Sequence, residues 1–260
     1  MKCNINILST RKTARFLVWV ALGLGATAGC RPAATPAANL GPALPVDRIA
    51  IVGASVSAGF GGTPFGDAFG KAAKHAAVAS WANVMMFRDP VADTRDQLAK
   101  AIDFHATTVI AIDLLFWHVY NVHRLDAALA ELDKLHATGA WIVLGDIPRI
   151  TTASELLLPR AAIPSQQEID AANQQIAAWA RRDRVLLVPL AAWTDPLRSG
   201  AEIELAPGEK VPAASLMALD GLHANPLGTW YLLDHLDHFI EAKLPGTPKD
   251  ALVFVRPSSI

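Results

Sequence analysis

Ser55, Asp220 and His223 are the side chains of this 260-residue chain whose types and spacing could activate a hydroxyl for attack on a carbonyl carbon. A serine hydroxyl is a weak nucleophile until a base removes its proton, and an imidazole serves reliably as that base only when a third group fixes its tautomer. Ser55 lies in the small-residue run Gly53-Ala54-Ser55-Val56-Ser57-Ala58-Gly59, and Asp220-Gly221-Leu222-His223 sets an acid beside an imidazole. Other readings of the same residues exist. The glycines from Gly53 to Gly62 could form a tight structural turn or expose amide hydrogens to a phosphate. The run lacks the lysine of a P-loop and the spacing of a dinucleotide fingerprint. An Asp-x-x-His pair often caps a helix, but Asn225 is better placed to do so, leaving Asp220 and His223 for other work.

Elements that could position these residues can be read from the apolar runs. Arg48–Gly53, Asn83–Phe87, Thr108–Asp113, Trp141–Asp146 and Val185–Leu190 have strand character, and helical patterns separate them. That alternation predicts βαβ units and a five-stranded parallel sheet covered on both faces, a three-layer α/β/α sandwich. Thr63–Ser80 carries Phe65, Ala68, Phe69, Ala72 and Ala76 at helical spacing, and Leu125, Ala128, Leu129, Leu132 and Leu135 form a second stripe. Ser165-Gln166-Gln167-Glu168 is a capping box. Near the end, Asn225 and Pro226 open a helix whose Leu232, Leu233, Leu236, Phe239 and Ile240 face inward. Ala191–Leu219, with three prolines and two glycines, reads as a long irregular connection that returns Asp220 and His223 to the strand ends. Ligands of such sheets bind beyond the carboxyl ends of strands, where Ser55 is expected.

From about residue 47 onward the chain resembles the SGNH hydrolases, also called GDSL esterases and lipases. Their opening motif, Gly-Asp-Ser-Leu-(Ser/Thr)-x-Gly, is matched by Gly53–Gly59 except at Ala54, and their closing Asp-x-x-His by Asp220 and His223. The resemblance implies a flavodoxin-like fold, Ser55 as nucleophile, His223 as base, Asp220 as orienting acid, and no cofactor or metal. It also implies an oxyanion hole to which a glycine after strand two and an asparagine after strand three contribute. Here Asp89-Pro90-Val91-Ala92-Asp93-Thr94 has no glycine, so the backbone amide of Ala92 or a neighbour stands in. Leu115 occupies the asparagine position, which leaves His118 and Asn121 of the same loop as candidate donors or pocket residues. Loss of one such donor lowers turnover by roughly 10²–10³. The implied activity is hydrolysis of short acyl or acetyl esters, on a small molecule or a glycan. An acyltransferase with a cleft built from Phe116, Trp117 and Tyr120, or a non-catalytic lipoprotein of the same fold, are the alternatives.

Composition sets the surroundings. Only 18% of residues are charged and the net charge is −1, so no basic surface announces a nucleic acid. His235 and His238, with Asp234 and Asp237, lie opposite the apolar stripe of the last helix and read as a solvated face rather than a metal site. Lys2, Arg11, Lys12 and Arg15 precede an apolar run from Phe16 to Ala28, the order of a secretory signal over residues 1–29. Two processing routes fit: Ala26-Thr27-Ala28 as an ordinary cleavage site, or Thr27-Ala28-Gly29-Cys30 as a lipobox that makes Cys30 a lipid attachment point. Cys3 falls in the removed segment, so Cys30 would be the remaining thiol. Residues 30–45 read as an Ala/Pro-rich linker and 46–260 as the folded domain, expected to be a monomer in the bacterial cell envelope, touching membrane only through the lipid.

Overall fold

The computed structural model describes residues 42–121 and 123–258. The signal segment and Cys30 lie outside the described residues, as does most of the linker. The chain order is β1 (Arg48–Ile51), α1 (Phe65–Ala72), β2 (Ala77–Ser80), α2 (Pro90–Asp103), β3 (Thr108–Ala111), α3 (Phe116–Tyr120), α4 (Leu125–His136), β4 (Trp141–Gly145), α5 (Gln166–Trp179), β5 (Val185–Val188), α6 (Leu190–Arg198), β6 (Glu202–Ala206), β7 (Glu209–Pro212) and α7 (Pro226–Lys243). Strands β1 to β5 form one parallel sheet in the order β2-β1-β3-β4-β5. The expected α/β/α architecture with five parallel strands is therefore present.

The apolar runs are continuous because both sheet faces are covered. Side chains alternate along a strand, and Ala50, Val52, Val109, Ala111, Ile142 and Leu144 enter one core while Ile49, Ile51, Ile110, Val143 and Val188 enter the other. The first core is closed by α2, α4 and α5, and the second by α1, α6 and α7. Helix ends follow the local chemistry read from the sequence. The Ser165–Glu168 capping box forms in both directions. Asn225 Oδ1 accepts from the Gly228 amide at 3.0 Å with Pro226 at the first helical position, and Leu232, Leu233, Leu236 and Ile240 of that helix are buried. Phe239 is half-buried.

Three expectations are corrected. The second strand is Ala77–Ser80, not Asn83–Phe87, and it lies where the first helix was expected to continue. It is an edge strand paired to β1 alone, so its half-exposed residues carry little apolar signal. Val84–Arg88 is a 3-10 helix with only Met86 buried, and Met85 and Phe87 point outward. Residues 191–219 are not irregular. They hold most of α6, then a β6–β7 hairpin that turns at Pro207-Gly208, and a 3-10 turn at Ala213–Leu216. Leu190, Thr194 and Leu197 supply the helical stripe of α6, which Pro196 at its seventh position disguised. Finally, ordered packing begins before residue 46. Leu44 is buried in the core that α1 and α7 share, and its amide donates to Thr247 Oγ1 at 2.8 Å.

That last contact is testable by urea unfolding of the full chain. Leu44→Ala should lower stability by about 2–4 kcal/mol, the range for a buried leucine, rather than the ~0.5 kcal/mol or less of a tether residue.

Candidate active site

The sheet order places a topological switch between β1 and β3: the chain leaves β1 for one edge and from β3 onward builds toward the other. Beyond the carboxyl ends of those two strands lies the crevice such folds use. Two segments enter it. After β1 the backbone breaks at Gly53 (φ +149°) into a helical turn in which Ala58 N–H donates to Ala54 O and Phe60 N–H to Ser55 O. After β3 comes Asp113.

The Asp113 carboxylate organises that turn. Its Oδ1 accepts from the Ala54 amide (3.1 Å) and the Ser57 hydroxyl (2.6 Å), and its Oδ2 from the amides of Val56 (2.9 Å) and Ser57 (3.2 Å). A Cβ on Gly53 would stand 2.1 Å from Asp113 Oδ1, so only glycine admits the carboxylate. Gln97 of α2 locks the same glycine from behind, its Oε1 accepting the Gly53 amide at 2.7 Å and its Nε2 donating to the Gly53 carbonyl at 3.1 Å. Burial raises the Asp113 pKa above the usual carboxylate range despite these hydrogen bonds. Neither Asp113 nor Gln97 was singled out from sequence. The available signal was a charged residue ending an apolar strand opposite a glycine.

Ser55 sits on this turn with its Oγ 2.8 Å from His223 Nε2, and His223 Nδ1 lies 2.8 Å from Asp220 Oδ2. The three residues thus form one hydrogen-bonded line although 168 positions separate Ser55 from His223. Asp220 Oδ1 also accepts the amides of Leu222 and His223, each at 2.9 Å. Partial burial acts to raise the Asp220 pKa, but the His223 amide, the imidazole and the Leu222 amide together outweigh it and hold the carboxyl below its usual range. Gly221 has φ +65°, and a Cβ there would meet the Thr152 carbonyl at 2.2 Å. Residues 152–154 brace the loop: Thr152 Oγ1 donates to the Gly221 carbonyl and the Ser154 amide to the Asp220 carbonyl. The His223 ring is 4% exposed and packs 4.7 Å from Phe60.

Of the other residues expected here, only one arrives. The Ala92 amide donates to Asp89 Oδ1 as part of the α2 N-cap, and Ala92 borders no cavity beside Ser55. Its expected place depended on the misplaced second strand. His118 is fully buried between α2 and its own loop, with Nε2 2.8 Å from Thr94 Oγ1 and Nδ1 3.2 Å from the Arg124 carbonyl, and burial lowers its pKa. It is a packing residue. Asn121 does reach the site, on the wall of a groove it shares with Ser55, its Nδ2 donating to the Phe87 carbonyl. Leu115 is core, 1% exposed, and offers no donor. The Ser55 amide has no hydrogen-bond partner among the described residues and is free to donate. His235, expected on a solvated face, is half-buried against Tyr231 and Trp193, whereas His238 is exposed.

Two spaces meet at Ser55 and His223. One is a narrow apolar cavity of about 60 Å³ that runs inward past Phe116, Ile147, Ile150 and Leu197. The other is an outer groove of about 420 Å³ lined by Phe60, Phe87, Trp117, Leu156 and Leu157. Phe116 stacks on Tyr120 at 4.1 Å between them, and Tyr120 Oη donates to the Pro148 carbonyl.

Comparison with known proteins agrees with the fold. A candidate SGNH hydrolase from Slackia heliotrinireducens superposes with a TM-score of 0.50 at 18% identity, covering 78% of this chain and all of that one. A candidate acylhydrolase from Bacteroides fragilis gives 0.51 at 13% identity, covering 78% and 91%. No protein-family model and no curated protein matches the sequence. The architecture is that of the SGNH hydrolases, as Gly53–Gly59 and Asp220–His223 led one to expect.

Two measurements test this geometry. Asp113→Asn turns two acceptor contacts into clashes with backbone amides and should lower stability by about 2–4 kcal/mol in urea unfolding. Asp220 has a depressed folded-state pKa, so its stability contribution is present above the unfolded value near pH ~4 and is lost as pH falls through the lower folded value. Asp220→Asn should therefore flatten the acid limb of stability below about pH 4. An unchanged limb would show that the Asp220 contacts do not form in solution.

Proposed function

We propose that the protein is an exported serine esterase that hydrolyses carboxylic esters with a short acyl group through Ser55, His223 and Asp220. The observation that carries this reading is the unbroken hydrogen-bonded line of these residues at the junction of two cavities. Ser55 Oγ bonds to the ester carbonyl carbon as its proton passes to His223 Nε2. Asp220 holds Nδ1–H and stabilises the imidazolium that forms. The tetrahedral oxyanion receives the free Ser55 amide, and the remaining Nδ2 hydrogen of Asn121 is the candidate second donor. When the carbon–oxygen bond to the alcohol breaks, His223 returns the proton to the leaving oxygen. Water then attacks the acyl-enzyme, giving its proton to His223; the acid departs and Ser55 regains its hydrogen.

The unequal spaces divide the substrate. The inner cavity takes a short acyl group, and the outer groove takes a larger alcohol on its aromatic walls. The groove also favours a second reading, acyl transfer to a sugar hydroxyl, since the half-exposed Trp117 stands on its wall. The apolar run at residues 16–28 and Cys30 support export and lipid anchoring in a bacterial cell envelope. No helix among the described residues is long and apolar enough to cross a membrane.

Hydrolysis of phenyl acetate by the full chain is the direct test. Ser55→Ala and His223→Ala should each lower kcat by about 10⁴-fold or more, and undiminished activity in either would overturn the mechanism. In cells, Cys30→Ala should shift the protein from the membrane fraction to the soluble fraction. Retention in the membrane would refute the lipid anchor.

A further inference from the structure

The inner cavity beside Ser55 is apolar along most of its wall, yet it includes Arg198, the last residue of α6. The Nε and Nη1 atoms of Arg198 are buried and have no hydrogen-bond partner among the described residues. Arg198 also forms no ion pair there. Asp195, one turn earlier, acts on it only through charge at a distance. Asp146 also borders the cavity, but its Oδ1 is engaged by the Ala191 amide at 2.7 Å. The charge of Arg198 is felt instead by the Tyr120 hydroxyl, whose partners Pro148 and Ile150 belong to the cavity wall. Burial pushes the guanidinium pKa down, as expected for a cation withdrawn from water.

Buried guanidinium N–H groups are rarely left without acceptors, because each loses its water without replacement. A guanidinium that has neither a counter-ion nor a hydrogen-bond partner among the described residues is complementary to a carboxylate. The space available limits the size of what carries that group. At about 10–15 Å³ per water-sized group, the cavity of about 60 Å³ holds roughly four to six such groups. Two methylenes and a carboxylate fill it.

We propose that Arg198 reads the far end of the acyl group, so that the preferred substrates are half-esters of a short dicarboxylic acid whose free carboxylate pairs with the guanidinium while the ester carbonyl lies at Ser55. This deepens the esterase reading and rests on it. The carboxylate supplies the counter-charge that the protein withholds from Arg198. An acyl group ending in a methyl would leave the guanidinium without a counter-charge. Specificity from such an unmet polar group exceeds what apolar contact alone gives.

The experiment compares benzyl hydrogen succinate with benzyl pentanoate, following release of benzyl alcohol by the full chain. The ratio of kcat/KM values should favour the succinate half-ester and fall by about 10²-fold in Arg198→Met. Arg198→Lys, which keeps the charge but not the fork, should recover part of the ratio. A ratio that is the same in wild type and Arg198→Met overturns the proposal. Calorimetric binding of free succinate to the Ser55→Ala protein separates this inference from the hydrolytic one. If neither ester is turned over, the esterase reading fails. Succinate binding that disappears when Arg198→Met is added to Ser55→Ala would still uphold the role of Arg198. Absence of succinate binding to Ser55→Ala would refute it.

Discussion

A carboxylate with no cation beside it is the point on which the site turns. Asp113, at the end of β3, gathers four donors from the turn that follows β1. The Ala54 amide and the Ser57 amide and hydroxyl would be buried and unsatisfied without it, at about 1–3 kcal/mol apiece. The arrangement is mutual. The amides of Ala54 and Ser57 need the acceptor because both residues are buried, and the carboxylate remains polar in the core because the amides surround it. Gly53 and Gln97 complete the fit, one by lacking a side chain and the other by filling both hydrogen-bonding capacities of the glycine peptide. Ser55 is the residue of this turn whose hydroxyl is left to face outward.

The acid–imidazole pair meets that hydroxyl by a different device. Asp220 satisfies the amides of its own loop with one oxygen and the imidazole with the other. The local loop and the carboxylate that orients the imidazole are therefore one structure. Because residues 152–154 hold the loop from the far side, the orientation of His223 depends on β4 and the segment after it as well as on α7. Movement in either of two distant stretches would reach the imidazole.

The same crevice separates two environments. Inward, the wall beyond Ser55 and His223 is mostly apolar, with Asp113, Asp146, Thr194 and Arg198 as its polar members; outward, aromatic and aliphatic side chains stand partly in solvent. Such an asymmetry places Ser55 between two unlike surroundings, which is what the proposed division of the substrate rests on. The absent asparagine of the family pattern is consistent with local packing: Leu115 is committed to the core, so an amide there would be buried among apolar neighbours.

The apolar runs, the capping box at Ser165, the Asn225–Pro226 helix start and the pairing of a glycine-flanked serine with Asp220-x-x-His223 were legible in the sequence, since each is set by short-range periodicity or local hydrogen bonding. They determined the layered α/β architecture and the three residues that meet. Elements whose signal depends on their surroundings were not legible. The edge strand Ala77–Ser80 has one neighbour and only small apolar residues, α6 is masked by Pro196, and Val84, Met85 and Phe87 border a groove while Met86 alone of that run enters the core. The tertiary structure alone decided that Asp113 lies beneath Ser55, that His118 packs instead of donating, that Ala92 caps a helix, and that Arg198 is enclosed without a partner. Each of these depends on which groups are brought together across many tens of residues and on how much water the packing leaves them, and neither quantity is written in the spacing of residues along the chain.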